Sequence, residues 1–269
     1  MSYGTSTSRP LRLGVVLCHG FSGSPSSIQP WAEGLAARGF HIESPLLPGH
    51  GTDWRDLEKR RWREWTERFE QACVAISART DLLFVAGLSM GGAIALHTAA
   101  RLGTAENRTI SPGHSAPGPV VGIAVVNPAL GFYDQRVRFI GAYRLFMRTT
   151  GPIEEADAPP PMGDEGDYSR TPITAVHELK RLFAATDRAL PRVTAPLIVF
   201  KSDVDPVVPP SSLRRIMDRA RGPVTEVVPL HNSPHVATRG PEAELIVGRT
   251  ADFFLRCAEQ AAPRSTLEA

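Results

Sequence analysis

Ser89 lies at the centre of Gly87-Leu88-Ser89-Met90-Gly91, a G-x-S-x-G pattern. A buried strand is predicted before this pentapeptide and an alanine-rich helix after it, so the serine would occupy a sharp strand-to-helix turn. Such a turn is strained and crowded, which explains a glycine two residues before and two residues after the serine. A hydroxyl exposed there, at the start of a helix, is suited to nucleophilic attack on a carbonyl. The alternative is a glycine-flanked turn without a catalytic role.

A serine is a poor nucleophile at neutral pH and needs a base that is oriented by an acid. On a strand–turn–helix scaffold the chain order is serine, acid, histidine. Two aspartates follow the predicted strand Leu197–Lys201, at the end where parallel sheets place their sites. Asp205 is the predicted acid because Pro206 restricts its backbone, whereas Asp203 is followed by the freer Val204. A solvated turn is the alternative for Asp205 and the favoured interpretation of Asp203.

The predicted base lies in the loop His231-Asn232-Ser233-Pro234-His235, after the last predicted strand. His235 is favoured because it lies deeper in this loop and has more reach toward Ser89. His231, within three residues of the predicted strand end, is the competitor. The remaining histidines lie in glycine turns or outside the expected place: His19, His41, His50, His97, His114 and His177.

Apolar periodicity predicts the elements that position these residues. Strands are predicted over Leu13–Cys18, Phe40–Leu47, Leu82–Leu88, Val120–Val126, Leu197–Lys201 and Thr225–Val228. Helices are predicted over Pro25–Arg38, Arg60–Ser77 and Gly91–Leu102, and at about 210–220 and 241–260. Continuously apolar strands that alternate with helices indicate an α/β fold with a mostly parallel sheet covered on both faces. Trp62, Trp65 and Phe69 have helical spacing and are predicted to belong to the core.

About 70 residues separate the strand ending at Val126 from the strand beginning at Leu197, which is more than one crossover needs. We therefore predict a core formed by residues 11–128 and 173–262, a cap insertion at 129–172, and flexible tails at 1–10 and 263–269. Mobile loops are predicted at 111–119 and 156–167.

The first half of the cap is predicted to form an amphipathic helix. Its apolar face would contact a lipid-like chain, pack the cap onto the core, or do both. The apolar residues are Phe132, Tyr133, Phe139, Ile140, Tyr143, Leu145, Phe146 and Met147, and the interleaved arginines are Arg136, Arg138, Arg144 and Arg148.

Five short motifs, in this order and spread over nearly the whole chain, resemble those of the α/β-hydrolase superfamily. They are the oxyanion-loop motif Cys18–Gly23, the PGHG turn Pro48–Gly51, the elbow Gly87–Gly92, the acid motif Asp205–Pro209 and the histidine motif Ser233–Thr238. The combination is similar to bacterial carboxylesterases and monoacylglycerol lipases with a small cap. Ser202 departs from the pattern, since many relatives have glycine there, and the cap carries no diagnostic motif.

The resemblance implies an oxyanion hole made by the backbone N–H groups of Phe21 and Met90, each contributing roughly 3 kcal/mol. It also implies a serine esterase that works through an acyl-enzyme on Ser89, with no cofactor or metal. The expected substrate is a small-molecule ester with a short to medium acyl chain, monoacylglycerols included. Thioester or amide hydrolysis, perhydrolysis on the same triad, and a receptor that binds without turnover are the alternatives.

Composition limits the other classes of function. The 269 residues carry 30 basic and 28 acidic side chains, a net charge of +2, which gives no field for nucleic acid or an acidic membrane. No stretch is long and apolar enough to span a membrane. The three cysteines are too far apart for a disulfide framework or a metal site, and no signal-peptide pattern is found, so a cytoplasmic location is expected. The oligomeric state is not indicated.

Overall fold

The computed structural model describes residues 9–103, 118–144, 147–151, 168–222 and 225–261. The strands of its main sheet are β1 (Leu13–Cys18), β2 (His41–Glu43), β3 (Leu82–Leu88), β4 (Val120–Val126), β7 (Leu197–Ser202) and β8 (Thr225–Leu230). All neighbours are parallel, in the order β2-β1-β3-β4-β7-β8. The short strands β5 (Thr149–Thr150) and β6 (Thr171–Pro172) form a separate antiparallel pair. The predicted α/β class with a mostly parallel sheet is confirmed.

Helices cover both faces of the main sheet. They are α1 (Gln29–Ala36), α2 (Trp54–Leu57), α3 (Trp62–Ser77), α4 (Met90–Leu102), α5 (Ile140–Tyr143), α6 (Ile173–Ala189), α7 (Ser211–Arg219) and α8 (Ala243–Ala261). One apolar core lies between the sheet and α3, α4 and α6, and the other between the sheet and α1 and α8. Side chains alternate across a strand, so Val85 of β3 enters the first core while Phe84 and Ala86 enter the second.

Two elements on the first face differ in how well the sequence reveals them. As predicted, Trp62, Trp65 and Phe69 of α3 are buried in the core. Helix α6 was not predicted, although it packs against α4 and has a buried apolar stripe. Among the described residues, no helix is long and apolar enough to cross a lipid bilayer.

Two predicted elements are shorter than expected. The strand predicted over Phe40–Leu47 is limited to His41–Glu43, and the chain reaches Pro45 two residues later, where the backbone has no N–H to continue a ladder. The helix predicted over Pro25–Arg38 begins as a 3₁₀ turn, Pro25–Ile28, before α1.

The single amphipathic helix predicted for the cap is wrong. Residues Gln135–Phe139 form a 3₁₀ turn that begins where the Asp134 carboxylate accepts the backbone N–H of Arg136, and α5 adds only one further turn. Ile140 is buried, whereas Phe139 is 61% exposed. Leu145 and Phe146 lie outside the described residues, as do the predicted loop 156–167, nearly all of the loop 111–119 and nearly all of both predicted tails.

Helices α1 and α8 approach closely at Gly34. A Cβ added at Gly34 would lie 2.6 Å from Cγ1 of Val247, whereas one added at Gly248, the next residue along α8, would meet nothing within 4 Å. Valine is stiff at χ1 and cannot swing away, so the contact requires glycine at position 34.

We predict that Gly34→Ala lowers the free energy of unfolding by about 1–3 kcal/mol, because overpacking outweighs the gain in helix propensity. The matched variant Gly248→Ala should raise it by about 0.5–1 kcal/mol. Urea unfolding followed by circular dichroism measures both. Equal shifts in the two variants would contradict the close approach.

Candidate active site

Ser89 sits on a strained turn between β3 and α4. Its backbone has φ 56° and ψ −116°, a left-handed conformation that a non-glycine residue adopts only when its surroundings enforce it. The N–H of Ser89 donates to the carbonyl of Val126 over 2.9 Å, and the carbonyl of Ser89 accepts the N–H of Ala129 over 3.2 Å. A Cβ on Gly87 would overlap the backbone of Gly91. The glycines predicted to relieve crowding are therefore in close backbone contact.

Ser89, His235 and Asp205 form one hydrogen-bonded chain. The hydroxyl Oγ of Ser89 lies 2.9 Å from Nε2 of His235, and Nδ1 of His235 lies 3.0 Å from Oδ1 of Asp205. A carboxylate accepts hydrogen bonds, so Nδ1 carries the proton and Nε2 accepts from the serine. All three residues are buried. This arrangement is able to draw the hydroxyl proton off Ser89.

The two competing residues pair with each other instead. Nδ1 of His231 lies 2.7 Å from Oδ2 of Asp203, and their side chains are 66% and 56% exposed. The structure thus brings Asp205 and His235 to Ser89 and leaves Asp203 and His231 as a surface pair.

The Asp205 carboxylate is fully satisfied. Oδ1 also accepts the N–H groups of Val207 (2.9 Å) and Val208 (3.1 Å), and Oδ2 accepts from Nζ of Lys201 over 2.7 Å. Burial raises the pKa of Asp205, but the hydrogen bonds and charges of His235 and Lys201 outweigh burial and lower that pKa to about 2. The acid is therefore ionised throughout the neutral range.

Asn127 links the acid loop to the histidine loop. This fully buried residue follows β4 with φ 43°, a region that asparagine tolerates better than most residues. Its Nδ2 donates to the carbonyl of His235 over 2.8 Å, and its Oδ1 accepts the N–H of Ser202 over 2.9 Å. The Ser202 hydroxyl donates to the carbonyl of Ser233. The departure from glycine at position 202 thus supplies a second link between the loops.

Glu242 holds the base of the histidine loop. Its carboxylate accepts the N–H groups of His231 and Asn232 and the hydroxyl of Ser233, over 2.9, 3.0 and 2.7 Å. These bonds fix the start of the loop that carries His235.

The loop after β1 is oriented by His19. Nδ1 of this histidine donates to the carbonyl of Gly20 over 2.8 Å, while Nε2 accepts the N–H of Leu47 over 3.2 Å. Burial lowers the pKa of His19 to about 4, so the ring is neutral and donates from Nδ1 alone. The C=O and N–H of a trans peptide point in opposite directions, so the N–H of Phe21 is directed away from His19. Met90 is the first residue of α4, where N–H groups have no acceptor within the helix.

Ser89 opens onto a cavity of about 810 Å³. Its floor includes Gly20, Phe21, Met90 and His235, and a Cβ on Gly20 would lie 3.7 Å from Cβ of Ser89. Its walls come from the segment 129–151 and from α6, and most are apolar: Phe132, Val137, Ile140, Tyr143, Met147, Ile173, Val176, Leu179 and Phe183. The polar part of the lining includes Ser22, Asp134, Arg136 and Arg239.

Sequence reasoning missed the roles of four residues of this site. The sequence analysis places His19 in a glycine turn and in the oxyanion-loop motif without giving its side chain a role, and it gives Asn127, Lys201 and Glu242 no role. Two of them carried a usable signal: Asn127 is a polar residue directly after a continuously apolar strand, and Lys201 is a charged residue inside one. Their partners are 75 or more residues away or lie in a loop, so no local pattern predicts the contacts.

Comparisons with known proteins show the family of this chain. The sequence matches the family described as "Alpha/beta hydrolase family" over residues 15–246. It is 32% identical to a thermostable monoacylglycerol lipase of Bacillus sp. (strain H-257) over 91% of both chains. A solved structure from work on LipS and LipT, two metagenome-derived lipolytic enzymes, superposes with a TM-score of 0.80 at 30% identity, over 91% of this chain and 94% of the other. The monoacylglycerol lipase of Paleococcus ferrophilus shares the fold, with a TM-score of 0.68 at 16% identity over 91% and 94% of the two chains.

Proposed function

Since the chain belongs to the α/β-hydrolase family, we propose that it is a serine hydrolase that cleaves carboxylic esters with short to medium acyl chains, monoacylglycerols among them. The observation that carries the proposal is the buried chain of hydrogen bonds from Ser89 through His235 to Asp205, at the floor of an apolar cavity. The lipolytic activities named for the similar proteins support ester hydrolysis.

In the first half of the reaction, Oγ of Ser89 attacks the ester carbonyl carbon while Nε2 of His235 takes the hydroxyl proton. Asp205 holds Nδ1 of His235 and stabilises the imidazolium that forms. The N–H groups of Phe21 and Met90 donate hydrogen bonds to the carbonyl oxygen and stabilise its negative charge. The alcohol then leaves with the proton from Nε2, and the acyl group remains on Ser89.

In the second half, a water molecule gives a proton to Nε2 of His235 and attacks the acyl carbon. The second tetrahedral intermediate uses the same two N–H donors. Its collapse breaks the bond to Oγ of Ser89, which takes the proton back, and the carboxylic acid is released. Every proton passes through one histidine, so no cofactor or metal is needed for the proposed reaction.

The cavity supports the proposed size of the substrate. A volume of about 810 Å³ lies within the range of sites that enclose a single small ligand. The apolar residues of α6 and of the segment 129–151 suit an acyl chain, and we propose that residues 129–172 act as a cap that sets acyl selectivity over the core at 11–128 and 173–262. A triacylglycerol has two further chains, and we propose that it is a poor substrate for this reason.

We also propose a cytoplasmic location. Cys18, Cys73 and Cys257 are buried thiols without a disulfide, and this usage is typical of a reducing compartment.

The first test is whether Ser89 is the residue that becomes acylated. A fluorophosphonate should label Ser89, as mapped by mass spectrometry, and should abolish hydrolysis of p-nitrophenyl butyrate. Ser89→Ala should fold normally, because the hydroxyl adds little packing, and should lose both labelling and turnover. Labelling at another serine with an active Ser89→Ala variant contradicts the proposal. Stoichiometric binding of esters without sustained turnover would favour a receptor instead.

The two aspartates and two histidines form matched pairs for the second test. We expect Asp205→Asn and His235→Ala each to lower kcat by about 10⁴-fold, and the double variant to be little worse than either. Asp203→Asn and His231→Ala should stay within about tenfold of the wild type. If Asp203 or His231 proves to be the inactivating position while its neighbour is tolerated, the assignment in that loop is wrong, although the proposed reaction survives.

The third test concerns acyl length. Each methylene group of the acyl chain that is buried in the cavity stabilises the bound ester by roughly 0.8 kcal/mol. The value of kcat/KM should therefore rise from acetate toward octanoate esters until the cavity is full. Val176→Phe, which fills the α6 wall, should lower kcat/KM for octanoate by at least about tenfold and leave acetate within about twofold. Leu255→Phe, at an exposed position of α8, is the control. An equal loss at all lengths, or rapid hydrolysis of emulsified long-chain triacylglycerol, contradicts the assigned acyl pocket.

A further inference from the structure

Lys201 is an unusual residue in this chain. Only 3 of its 30 basic residues are lysines. Lys59 is exposed and Lys180 is partly so, whereas Lys201 lies within β7, where its side chain is only 13% exposed. Placing an ammonium in a strand between two apolar cores costs desolvation energy, and an apolar residue avoids that cost.

The surroundings of Lys201 fit an ammonium group. Nζ lies 2.7 Å from Oδ2 of Asp205, 3.4 Å from the carbonyl of Val208 and 3.5 Å from Oδ1 of Asn127. A lysine ammonium has three donors, and three acceptors surround it here. The planar guanidinium of arginine, which this chain uses nearly everywhere else, has a different donor geometry.

The two oxygens of the Asp205 carboxylate therefore have separate partners. Oδ1 faces His235 and two backbone N–H groups, while Oδ2 faces Lys201. The ammonium on the far oxygen fixes the rotation of the carboxylate. It also places a positive charge beside the negative charge of the carboxylate.

We propose that Lys201 is a positioning residue that holds the Asp205 carboxylate and offsets its charge, so that ester hydrolysis keeps its rate to a lower pH than it would without the lysine. This inference rests on the proposed function, because it describes how the same site is tuned. The low pKa of Asp205, about 2, is consistent with a carboxylate that keeps its charge under these conditions.

Other charged and titratable groups surround the histidine loop. The loop and the elements packed against it contribute Arg239, the pair Asp203–His231 and Glu242. The cap contributes Asp134 and Arg136. The loop after β1 contributes the neutral His19. A substitution at position 201 leaves all of them in place. A change in the pH profile of such a variant therefore shows the effect of losing the positive charge of Lys201.

The experiment compares pH profiles of kcat/KM for p-nitrophenyl butyrate between pH 4 and 9. On the low-pH side of the profile, called the acid limb, kcat/KM falls as the pH is lowered. In Lys201→Met the acid limb should move to higher pH by about one unit, which lowers kcat/KM about tenfold on that limb. Near the optimum the loss should stay within a few-fold. Lys59→Met, which removes an exposed lysine with the same change in chemistry, should superimpose on the wild type.

Lys201→Gln is the second variant, since an amide is polar and donates hydrogen bonds but carries no charge. The proposal expects the same upward shift of the acid limb in this variant. Superimposable profiles for the wild type and a folded Lys201 variant overturn it, even if the melting temperature falls, because a purely structural role changes stability alone. If neither variant folds, Lys201 is structural and the proposal is also overturned.

Failure of the proposed function would look different. In that case the wild type would show no turnover, or Ser89→Ala would keep it, and the inference about Lys201 would fall with the proposed reaction. An active wild type with Ser89-dependent turnover and an unmoved acid limb rejects the role of Lys201 alone.

Discussion

The contact between the start of α4 and the end of β1 is the constraint on which the site depends. Gly91 lies so close to the backbone of Cys18 that any side chain at position 91 would overlap the Cys18 carbonyl. Ser89, two residues earlier in the same turn, has a positive φ, a strained conformation that its surroundings must hold. The same contact places the loop after β1, with Gly20 and Phe21, directly beside the serine. One backbone contact thus positions the proposed nucleophile and one side of its proposed oxyanion hole.

The acid and the base reach this turn through buried polar links. The acid loop and the histidine loop follow neighbouring parallel strands, β7 and β8, so both emerge at the same edge of the sheet. Asn127 ties them together from β4, and Ser202 adds a second bond. Buried polar groups are costly unless they are paired, so these bonds favour a single arrangement of the two loops. Asp203 and His231 are in the same loops, yet their side chains are exposed and pair with each other.

The cap region shows how local pattern and tertiary structure diverge. Its apolar and arginine residues alternate as an amphipathic helix would, but the chain forms a 3₁₀ turn and one helical turn. The cavity wall comes both from this segment and from α6, which contributes apolar residues. A short element that lines a cavity gains little from its own propensity, because short isolated helices are marginal and packing decides their length.

The amino-acid sequence by itself determined the class of fold, five of the six strands of the main sheet nearly to their ends, and the turn that carries Ser89. These follow from continuous apolar runs, helical spacing and glycines, which act over a few residues. It also favoured Asp205 and His235 over their neighbours, through chain order and Pro206. Only the tertiary structure decided which partners meet: Asn127 with both loops, Lys201 with Asn127, and His19 with the N–H of Leu47. Hydrogen bonds between distant segments depend on where the packed sheet places each strand end, and no local pattern carries that information.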